Sequence, residues 1–236
     1  MKGLSQHTEE VFEQISKLEC IKNYTLIGGT ALALQLGHRL SEDLDFCKWR
    51  KSKNDFVRID EWKQISDELT TIGKIEKNIL DDNHIDFKVN DVKITFYADN
   101  EFREPKALIK QPFLNNIRIA DVKSIGIMKL ALMLHRNSHR DYYDIYSILQ
   151  SGVSLKEIVY EAANYTEHRL KTKNIIAMLV DSEYVRIDKR FEDLNPVYNF
   201  DLSFLERGIS EKVKALTEAV SKVFLNADDA DKMDKH

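Results

Sequence analysis

The feature that most restricts the fold of this chain is a glycine pair between a short apolar run and a helix-forming stretch. The apolar run Tyr24–Ile27 predicts a strand, Gly28 and Gly29 predict a turn, and residues 30–36 have a helical composition. Glycines let the backbone approach a ligand closely, and the start of a helix offers free N–H groups to a phosphate. The sequence therefore predicts a strand, turn and helix that can bind an anion, although a plain tight turn would contain the same glycines.

Two aspartates follow the glycine pair after thirteen intervening residues, from Thr30 to Glu42. They are Asp43 and Asp45, and residues i and i+2 of a strand point to the same face. Two adjacent carboxylates repel each other unless a cation lies between them, and hard divalent ions such as Mg²⁺ or Mn²⁺ prefer oxygen ligands. This spacing favours a metal site for phosphoryl transfer, while an isolated Asp-x-Asp is also typical of a solvated strand edge.

Composition excludes several other classes of protein. The 236 residues include 35 basic and 39 acidic side chains, so the net charge of -4 does not indicate a strongly basic nucleic-acid binder. The two cysteines, Cys20 and Cys47, form no CxxC pair, which favours a reduced, cytoplasmic protein. The apolar stretch Ile125–Leu134 contains Lys129 and is too short to cross a bilayer, so no membrane association is expected.

Apolar periodicity predicts a mixed sheet with helices in the first half of the chain. Helices are expected over about Thr8–Cys20 and about Phe56–Ile72. Strands are expected at residues 43–46, 75–80, 85–89 and 92–97, in addition to the strand before the glycine pair. The predicted fold class is α+β, with a small mixed sheet flanked by helices.

From Asp121 onward the pattern predicts one helix after another. Asp121 is a candidate N-terminal cap for the helix that contains Ile125–Leu134, and further helices are expected at 139–149, after Ser154, and around 213–223. The polar segment 226–236 is expected to be a disordered tail. We therefore predict a catalytic domain at residues 1–120, a helical domain at 121–225 and a tail at 226–236.

The two motifs together resemble a known family. Ile27-Gly-Gly-Thr-Ala-Leu-Ala-Leu, followed by His38-Arg-Leu-Ser-Glu-Asp-Leu-Asp-Phe, resembles the AbiEii/AbiGii toxins of the DNA polymerase beta-like nucleotidyltransferase superfamily. A second block, with Lys129, Arg136 and the run His139–Tyr146, is similar to the distal motif of that family. The resemblance covers roughly residues 20 to 150 and implies the nucleotidyltransferase fold.

The resemblance also implies an activity and partners. A protein of this family would move a nucleotidyl group from an NTP to an acceptor, either RNA such as tRNA or a protein. It would act as a toxin in a bacterial toxin-antitoxin or abortive-infection system, with a cognate antitoxin. Asp43 and Asp45 would hold the metal, Mg²⁺ or Mn²⁺, and take part in catalysis.

Further site residues follow from the same resemblance and from their chemistry. Residues expected to bind the nucleotide are Gly28, Gly29, Thr30, Arg39, Ser41, Lys129 and Asp144. Lys129 and Asp141 are also expected to be catalytic. A lysine in an apolar helix needs a phosphate or carboxylate partner, unless its amine reaches water. Asp141 and Asp144 lie on one helical face, where structural pairing with Arg136 and Arg140 is an alternative.

One part of the nucleotidyltransferase pattern is incomplete. Many active members supply a third carboxylate from a later strand, and Thr95 stands at that position here. Asp86 or Asp99 could substitute for it. The departure motivates an alternative hypothesis, in which the chain is a catalytically inactive NTP-binding regulator or an antitoxin-binding module.

Overall fold

A seven-stranded mixed sheet forms the centre of the computed structural model, which describes residues 1–105, 108–133, 135–183 and 185–233. The strands are β1 Thr25–Ile27, β2 Leu44–Arg50, β3 Ile75–Leu80, β4 His84–Val89, β5 Val92–Arg103, β6 Lys110–Leu114 and β7 Ile117–Ala120. Their order is β3-β4-β5-β2-β1-β7-β6. The pairs β1–β7 and β2–β5 are parallel, and the other pairs are antiparallel.

Helices flank the sheet and make up most of the chain after it. They are α1 Gln6–Ile15, α2 Gly28–Leu36, α3 Trp62–Thr70, α4 Val122–Leu132, α5 His139–Gln150, α6 Leu155–Tyr165, α7 Thr172–Leu179 and α8 Leu202–Met233, with a 3-10 helix at Phe191–Leu194. Side-chain caps begin four of them: Ser5, Asp121, Ser138 and Ser154. The predicted α+β class, with a helical C-terminal region, is confirmed.

Alternation along the strands gives the sheet two different faces. One face is apolar and contains an aromatic cluster, in which Phe96 contacts Tyr24, Phe46 and Phe87 with ring centroids 5.1 to 6.3 Å apart. The opposite face carries Asp45 and other polar side chains, because successive residues of a strand point to opposite sides. Phe46 thus packs into the core on one side of β2, and Asp45 belongs to a polar site on the other, where Cys47 and Trp49 are buried further along the strand.

Helix α4 joins this core to a second one. Ile125 and Met128 pack into the core of the sheet, whereas Ile127 and Leu130 pack into a cluster formed by the C-terminal helices. A helix that is apolar on all sides is normally buried between packed layers. The two cores agree with a sheet-containing half and a helical half, while the domain limits at 120 and 225 stay a prediction.

Several predicted boundaries are wrong. Helix α1 ends at Ile15 rather than Cys20, because the chain then turns and the amide of Cys20 donates to Glu68 at 3.0 Å. Helix α3 begins at Trp62, so Phe56, which is 64% exposed, precedes the helix instead of packing in its apolar stripe. In both cases the apolar spacing extends beyond the ends of the helix, because such a pattern does not show where the backbone turns.

Strands β6 and β7 have no counterpart among the predictions. Strand β6 is mostly exposed and contains Pro112, so it lacks the alternation that predicts a strand.

Helix α8 begins well before residue 213 and continues to Met233, into the segment for which we predict a tail. Leu134 and residues 234–236, which belong to the predicted helix end and tail, lie outside the described residues.

Candidate active site

The glycine turn lies directly against one of the two aspartates. Gly28 follows β1 with a φ of 72°, a conformation that residues with a side chain rarely adopt. A Cβ atom built on Gly28 would lie 2.8 Å from Oδ2 of Asp45, because Ile27 pairs with Asp45 across β1 and β2. A side chain at position 28 would therefore crowd the carboxylate and strain the backbone, which favours glycine at this turn.

Helix α2 starts at this turn without a side-chain cap. Ile27, the residue before the helix, makes no cap hydrogen bond, unlike the serine and aspartate caps of α1, α4, α5 and α6. The first N–H groups of a helix carry partial positive charge and satisfy anions well. The turn can therefore accept a phosphate beside the Asp45 carboxylate.

Asp43 and Asp45 form an acid pair at the start of β2. Asp43 directly precedes the strand and Asp45 is its second residue. Burial raises the pKa of Asp45, the charge of Asp43 raises it further, and the more distant cations Lys93, Lys129 and Arg136 act in the opposite direction. Nearby cations in the protein thus do not balance the negative charge of the acid pair. A bound divalent cation would balance it.

The donor set fits a cation that shares its ligands with a substrate. Within the described ranges, no group of three or more histidine, cysteine, aspartate or glutamate side chains could enclose a metal ion. Mg²⁺ is usually held by one or two carboxylates, with the remaining positions filled by water and substrate phosphates. The acid pair fits that mode of binding.

Buried polar side chains contact the glycine turn and hold it in place. A Cβ atom on Gly29 would lie 2.4 Å from Nη2 of Arg39, so the guanidinium occupies the space that a side chain would need. The hydroxyl of Thr30 donates to Oγ of Ser41 at 2.7 Å and is also hydrogen-bonded to the carbonyl of Asp43. Arg39, Thr30 and Ser41 thereby fix the turn to the segment that carries the acid pair.

The Arg39 guanidinium is held in place by Asp144 of α5. Its Nε and Nη2 atoms donate to the two Asp144 oxygens at 2.8 and 2.9 Å, and His38 Nε2 lies 2.7 Å from Oδ1. Burial alone would raise the pKa of Asp144, but the charges of Arg39 and Lys129 and the hydrogen bonds hold it well below its ordinary value. Asp144 is therefore an ionised carboxylate with no solvent exposure.

Lys129 joins the same cluster from α4. Its ammonium lies 2.9 Å from Asp141 and 2.8 Å from Asp144, with 4% of the residue exposed. Asp141 also accepts hydrogen bonds from Arg136 at 3.0 Å and from the hydroxyl of Ser138 at 2.6 Å. The carboxylate partner that a buried lysine requires is thus present twice, and both predicted aspartates are paired.

The structure consequently brings the predicted site residues together in two adjoining groups, with Thr30 and Ser41 bonded to the segment that carries the acid pair. The acid group contains Gly28, Gly29, Asp43 and Asp45 at the surface of the sheet. The buried group, here called the ion cluster, consists of Arg39, Lys129, Asp141 and Asp144. Lys129 and Arg136 act on the pKa of Asp45, which shows that the two groups share one electrostatic environment.

The two substitutes for a third carboxylate lie in different places. Thr95 pairs with Asp45 and also with Asp86, so the three side chains form a row across β2, β5 and β4 on the same face. The Thr95 hydroxyl donates to Asp86 at 2.9 Å. Asp99 pairs four residues further along β2, roughly 13 Å away at the rise of a strand, and binds the amides of Glu101 and Phe102.

Lys93 is a site residue that the sequence reasoning missed. It lies two residues before Thr95 on the same face of β5, its ammonium is 3.0 Å from Asp86, and its side chain is 47% exposed. The predicted alternation of strand 92–97 already placed Lys93 and Thr95 on one face. Only the register of β5 against β2 shows that this face is the one that carries Asp45.

The cavity at the other end of β2 is separate from this site. It has a volume of about 700 Å³ and is lined by residues that include Lys51, Arg103, Tyr160 and Tyr165, with neither member of the acid pair. The acid pair instead lies half-buried beside the glycine turn, at the start of β2. None of the helices in the described part of the chain combines the length and apolar character that a bilayer crossing requires.

Comparison with known proteins gives a family match over most of the chain. Residues 11–222 match the family model described as the nucleotidyl transferase AbiEii toxin of a type IV toxin-antitoxin system. An uncharacterised protein of Aquifex aeolicus is 27% identical over 215 residues, which cover 89% of this chain and 98% of that protein.

Solved structures show a similar fold at low identity. The crystal structure of JHP933 from Helicobacter pylori has a TM-score of 0.53 and 19% identity, and the match covers 95% of this chain and 98% of that one. MenT4, a nucleotidyltransferase toxin of Mycobacterium tuberculosis, matches with a TM-score of 0.49 and 12% identity, over 88% and 84% of the two chains. The first of these likenesses supports the fold of the whole chain.

Proposed function

Because the chain belongs to the AbiEii nucleotidyl transferase toxin family and is a nucleotidyltransferase, we propose that the acid pair Asp43 and Asp45 is its catalytic centre. The observation that carries this proposal is the position of Asp45. Its carboxylate is partly buried, lies beside a second carboxylate, and faces a turn where a side chain would crowd it. A divalent cation would balance the charge of the two carboxylates, and a phosphate would bind the N–H groups at the turn.

The proposed reaction transfers a nucleotidyl group from an NTP to a hydroxyl of RNA or protein. A bond forms between the hydroxyl oxygen and the α-phosphorus, the bond from the α-phosphorus to the pyrophosphate oxygen breaks, and the hydroxyl proton is released to solvent. Mg²⁺ or Mn²⁺ bound by Asp43 and Asp45 would neutralise charge on the phosphate oxygens. The protein contributes mainly position and charge.

The glycine turn is proposed to hold the polyphosphate. The uncapped N–H groups at the start of α2 would donate to phosphate oxygens next to the acid pair. Thr30, Ser41 and Arg39 would act on the nucleotide by fixing this turn, since their polar groups already bind protein atoms. Substitution of these residues should therefore shift the turn as well as weaken NTP binding.

The ion cluster is proposed to supply the positive side of the site. The positive charges of Lys129 and Arg136 partly oppose the rise in the pKa of Asp45, so they also favour an anionic ligand beside it. Asp141 and Asp144 orient Lys129 and Arg39 by direct ion pairs. In this assignment Asp141 and Asp144 act through the cations that they hold.

A toxin of a type IV system has a cognate antitoxin, and we propose that this chain functions with one in a bacterial toxin-antitoxin or abortive-infection system. The competing hypothesis is a regulator that binds NTP without transferring it. Thr95 in place of an acid motivates that alternative. The family match favours the enzyme, and the acid pair can bind a cation without a third carboxylate.

A transfer assay separates these possibilities. The purified full chain would be incubated with Mg²⁺ or Mn²⁺, each NTP labelled on the α-phosphate, and total RNA or protein extract. We expect a labelled product with the wild type and none with Asp43→Asn or Asp45→Asn. Asp82→Asn is a matched control, because that aspartate is 64% exposed and pairs only at the surface with Arg58. NTP binding without product from any nucleotide or acceptor would support the regulator instead.

A further inference from the structure

The polar face of β4 and β5 lies on the opposite side of the acid pair from the glycine turn. In the sheet, β2 stands between β1, which leads into the turn, and β5, which is followed by β4. Adjacent strands are about 4.8 Å apart, so the row from Asp45 through Thr95 to Asp86 extends about 10 Å away from the turn. This face has direct access to the acid pair.

The geometry of attack at the α-phosphorus indicates what this face binds. In-line displacement at phosphorus places the attacking and leaving oxygens on opposite sides of the phosphorus. If the pyrophosphate lies at the glycine turn, as the proposed function requires, the accepting hydroxyl must approach from the side of β5. The acceptor would then lie over the side chains that β5 and β4 present.

We propose that Lys93 and Tyr97 of β5 form the binding surface for an RNA acceptor, with Lys93 on a backbone phosphate and Tyr97 against a base. This inference rests on the proposed function for the position of the NTP. It names the acceptor class, RNA rather than protein, and the two residues that recognise it.

Lys93 is an accessible cation on the strand next to the acid pair. Its side chain is 47% exposed and has a carboxylate partner at 3.0 Å, whereas Lys129 is 4% exposed and is bound by two carboxylates. Partial burial lowers the pKa of Lys93, but the hydrogen bond to Asp86 and the charges of Asp86, Asp45 and Asp43 outweigh it and raise the pKa. Lys93 therefore offers a charged ammonium among carboxylates that would otherwise repel a phosphate.

Tyr97 supplies the second, independent observation. It lies on the same face of β5, two residues after Thr95, and is 37% exposed. Its ring meets that of His84 edge to face, with centroids 6.1 Å apart. Burial, followed by the charge of Asp99, raises the pKa of Tyr97 to about 12, so the phenol is neutral at physiological pH.

An exposed aromatic ring beside a cation on an open sheet is typical of single-stranded RNA recognition. Bases stack on such rings, and phosphates pair with nearby lysines or arginines. A protein acceptor would offer neither a regular phosphate nor a base at these positions. The chemistry of this face therefore favours RNA.

The experiment measures RNA binding and turnover separately. A fluorescent single-stranded oligoribonucleotide with a free 3′ hydroxyl would be titrated against the full chain by anisotropy. Transfer from labelled NTP would then give KM for the NTP and for the RNA. We expect Lys93→Gln and Tyr97→Ala each to weaken RNA binding and raise KM for RNA by about 10-fold, with KM for the NTP unchanged. Lys93→Arg should restore binding.

Two control variants and the salt dependence complete the test. Lys88 is the direct cross-strand neighbour of Lys93 and is 40% exposed, but it lies on β4, one strand farther from the acid pair, so Lys88→Gln should have no effect. Tyr160 is 61% exposed at the separate cavity, so Tyr160→Ala should also have none. The slope of log binding constant against log salt should fall by about 0.7 in Lys93→Gln.

Several outcomes would overturn the proposal. These are a rise in KM for the NTP instead of the RNA, an equal loss in Lys88→Gln, a loss in Tyr160→Ala with none in Tyr97→Ala, or a labelled protein product without RNA binding. Failure of the wild type to transfer at all would contradict the proposed function, whereas the anisotropy titration would still test the RNA surface.

Discussion

Two pairs of aspartates adjoin in this site, and their surroundings are opposite. Asp43 and Asp45 lie half-buried at the start of β2, and burial together with the charge of Asp43 raises the pKa of Asp45. Asp141 and Asp144 lie in the interior, where Lys129, Arg39 and Arg136 bind them at 2.8 to 3.0 Å. Nearby cations balance the negative charge of the second pair but not that of the first.

The difference separates chemistry from support. The two carboxylates of the acid pair repel each other until a cation binds, so this pair favours ligand binding at the expense of stability. A balanced, buried pair joins elements far apart in sequence, since Arg39 and Asp144 lie 105 positions apart. We therefore expect the acid pair to control turnover and the ion cluster to control the folded state.

The largest predicted effect on stability concerns Asp144. Asp144→Ala leaves Arg39, Lys129 and His38 buried without their shared partner, and removal of one member of a buried ion pair destabilises a protein by about 3 to 5 kcal/mol. Urea unfolding would measure the loss. A change below about 1 kcal/mol would show that the cluster is not a structural link.

The next effect concerns the glycine turn. Gly28→Ala forces a methyl group to within 2.8 Å of Asp45 Oδ2 and strains a φ of 72°, so kcat/KM should fall about 100-fold. Gly152→Ala is the matched control, because Gly152 has a φ of 94° but nothing within 4 Å of its Cβ position. If both variants lose activity equally, backbone strain rather than the acid pair explains the loss.

A smaller effect is expected in the pH dependence of stability. Burial lowers the pKa of His38 below its ordinary value of 6.5, against the opposing influence of Asp144, so the folded state favours the neutral ring. This contribution is fully present above pH 6.5 and is lost as the pH falls through the lowered pKa of His38. Asp144 has a pKa well below 3.8, so its contribution is lost only at more acidic pH.

Unfolding free energies measured from pH 7.5 to pH 4 would test this prediction. The wild type should lose stability below about pH 6.5, and His38→Gln should flatten the first part of that decline. An identical pH profile in the variant would show that His38 is not the group responsible.

The sequence predicted the strand and turn that carry the acid pair better than it predicted the ends of the helices. The Gly-Gly turn and the Asp-x-Asp strand are local patterns, and strand alternation fixes the shared face of Asp43 and Asp45. Strand β6 could not be predicted in this way, because it contains Pro112 and is stabilised by pairing with β7. Neighbours distant in sequence determine such an element.

The pairing within the site also depends on contacts that a single sequence does not contain. Spacing placed Asp141 and Asp144 on one helical face, but only tertiary packing brings Arg39 and Lys129 to them. The same holds for Lys93, which gains significance from the register between β5 and β2. The positions of side chains within an element could be predicted, and their partners across elements could not.

The smallest expected change in stability accompanies the largest change in activity. Asp45→Asn removes a charge that the protein alone does not balance, so the melting temperature without divalent ions should be equal to or higher than that of the wild type. This expectation contrasts directly with the destabilisation of Asp144→Ala.

Turnover and unfolding of Asp45→Asn, measured on the same preparation, test the central claim most directly. We predict that nucleotidyl transfer falls at least about 1000-fold, while the unfolding free energy without divalent ions is retained or raised. Transfer at the wild-type rate, or a loss of activity matched by destabilisation as large as that of Asp144→Ala, would contradict the assignment of Asp43 and Asp45 as the catalytic centre.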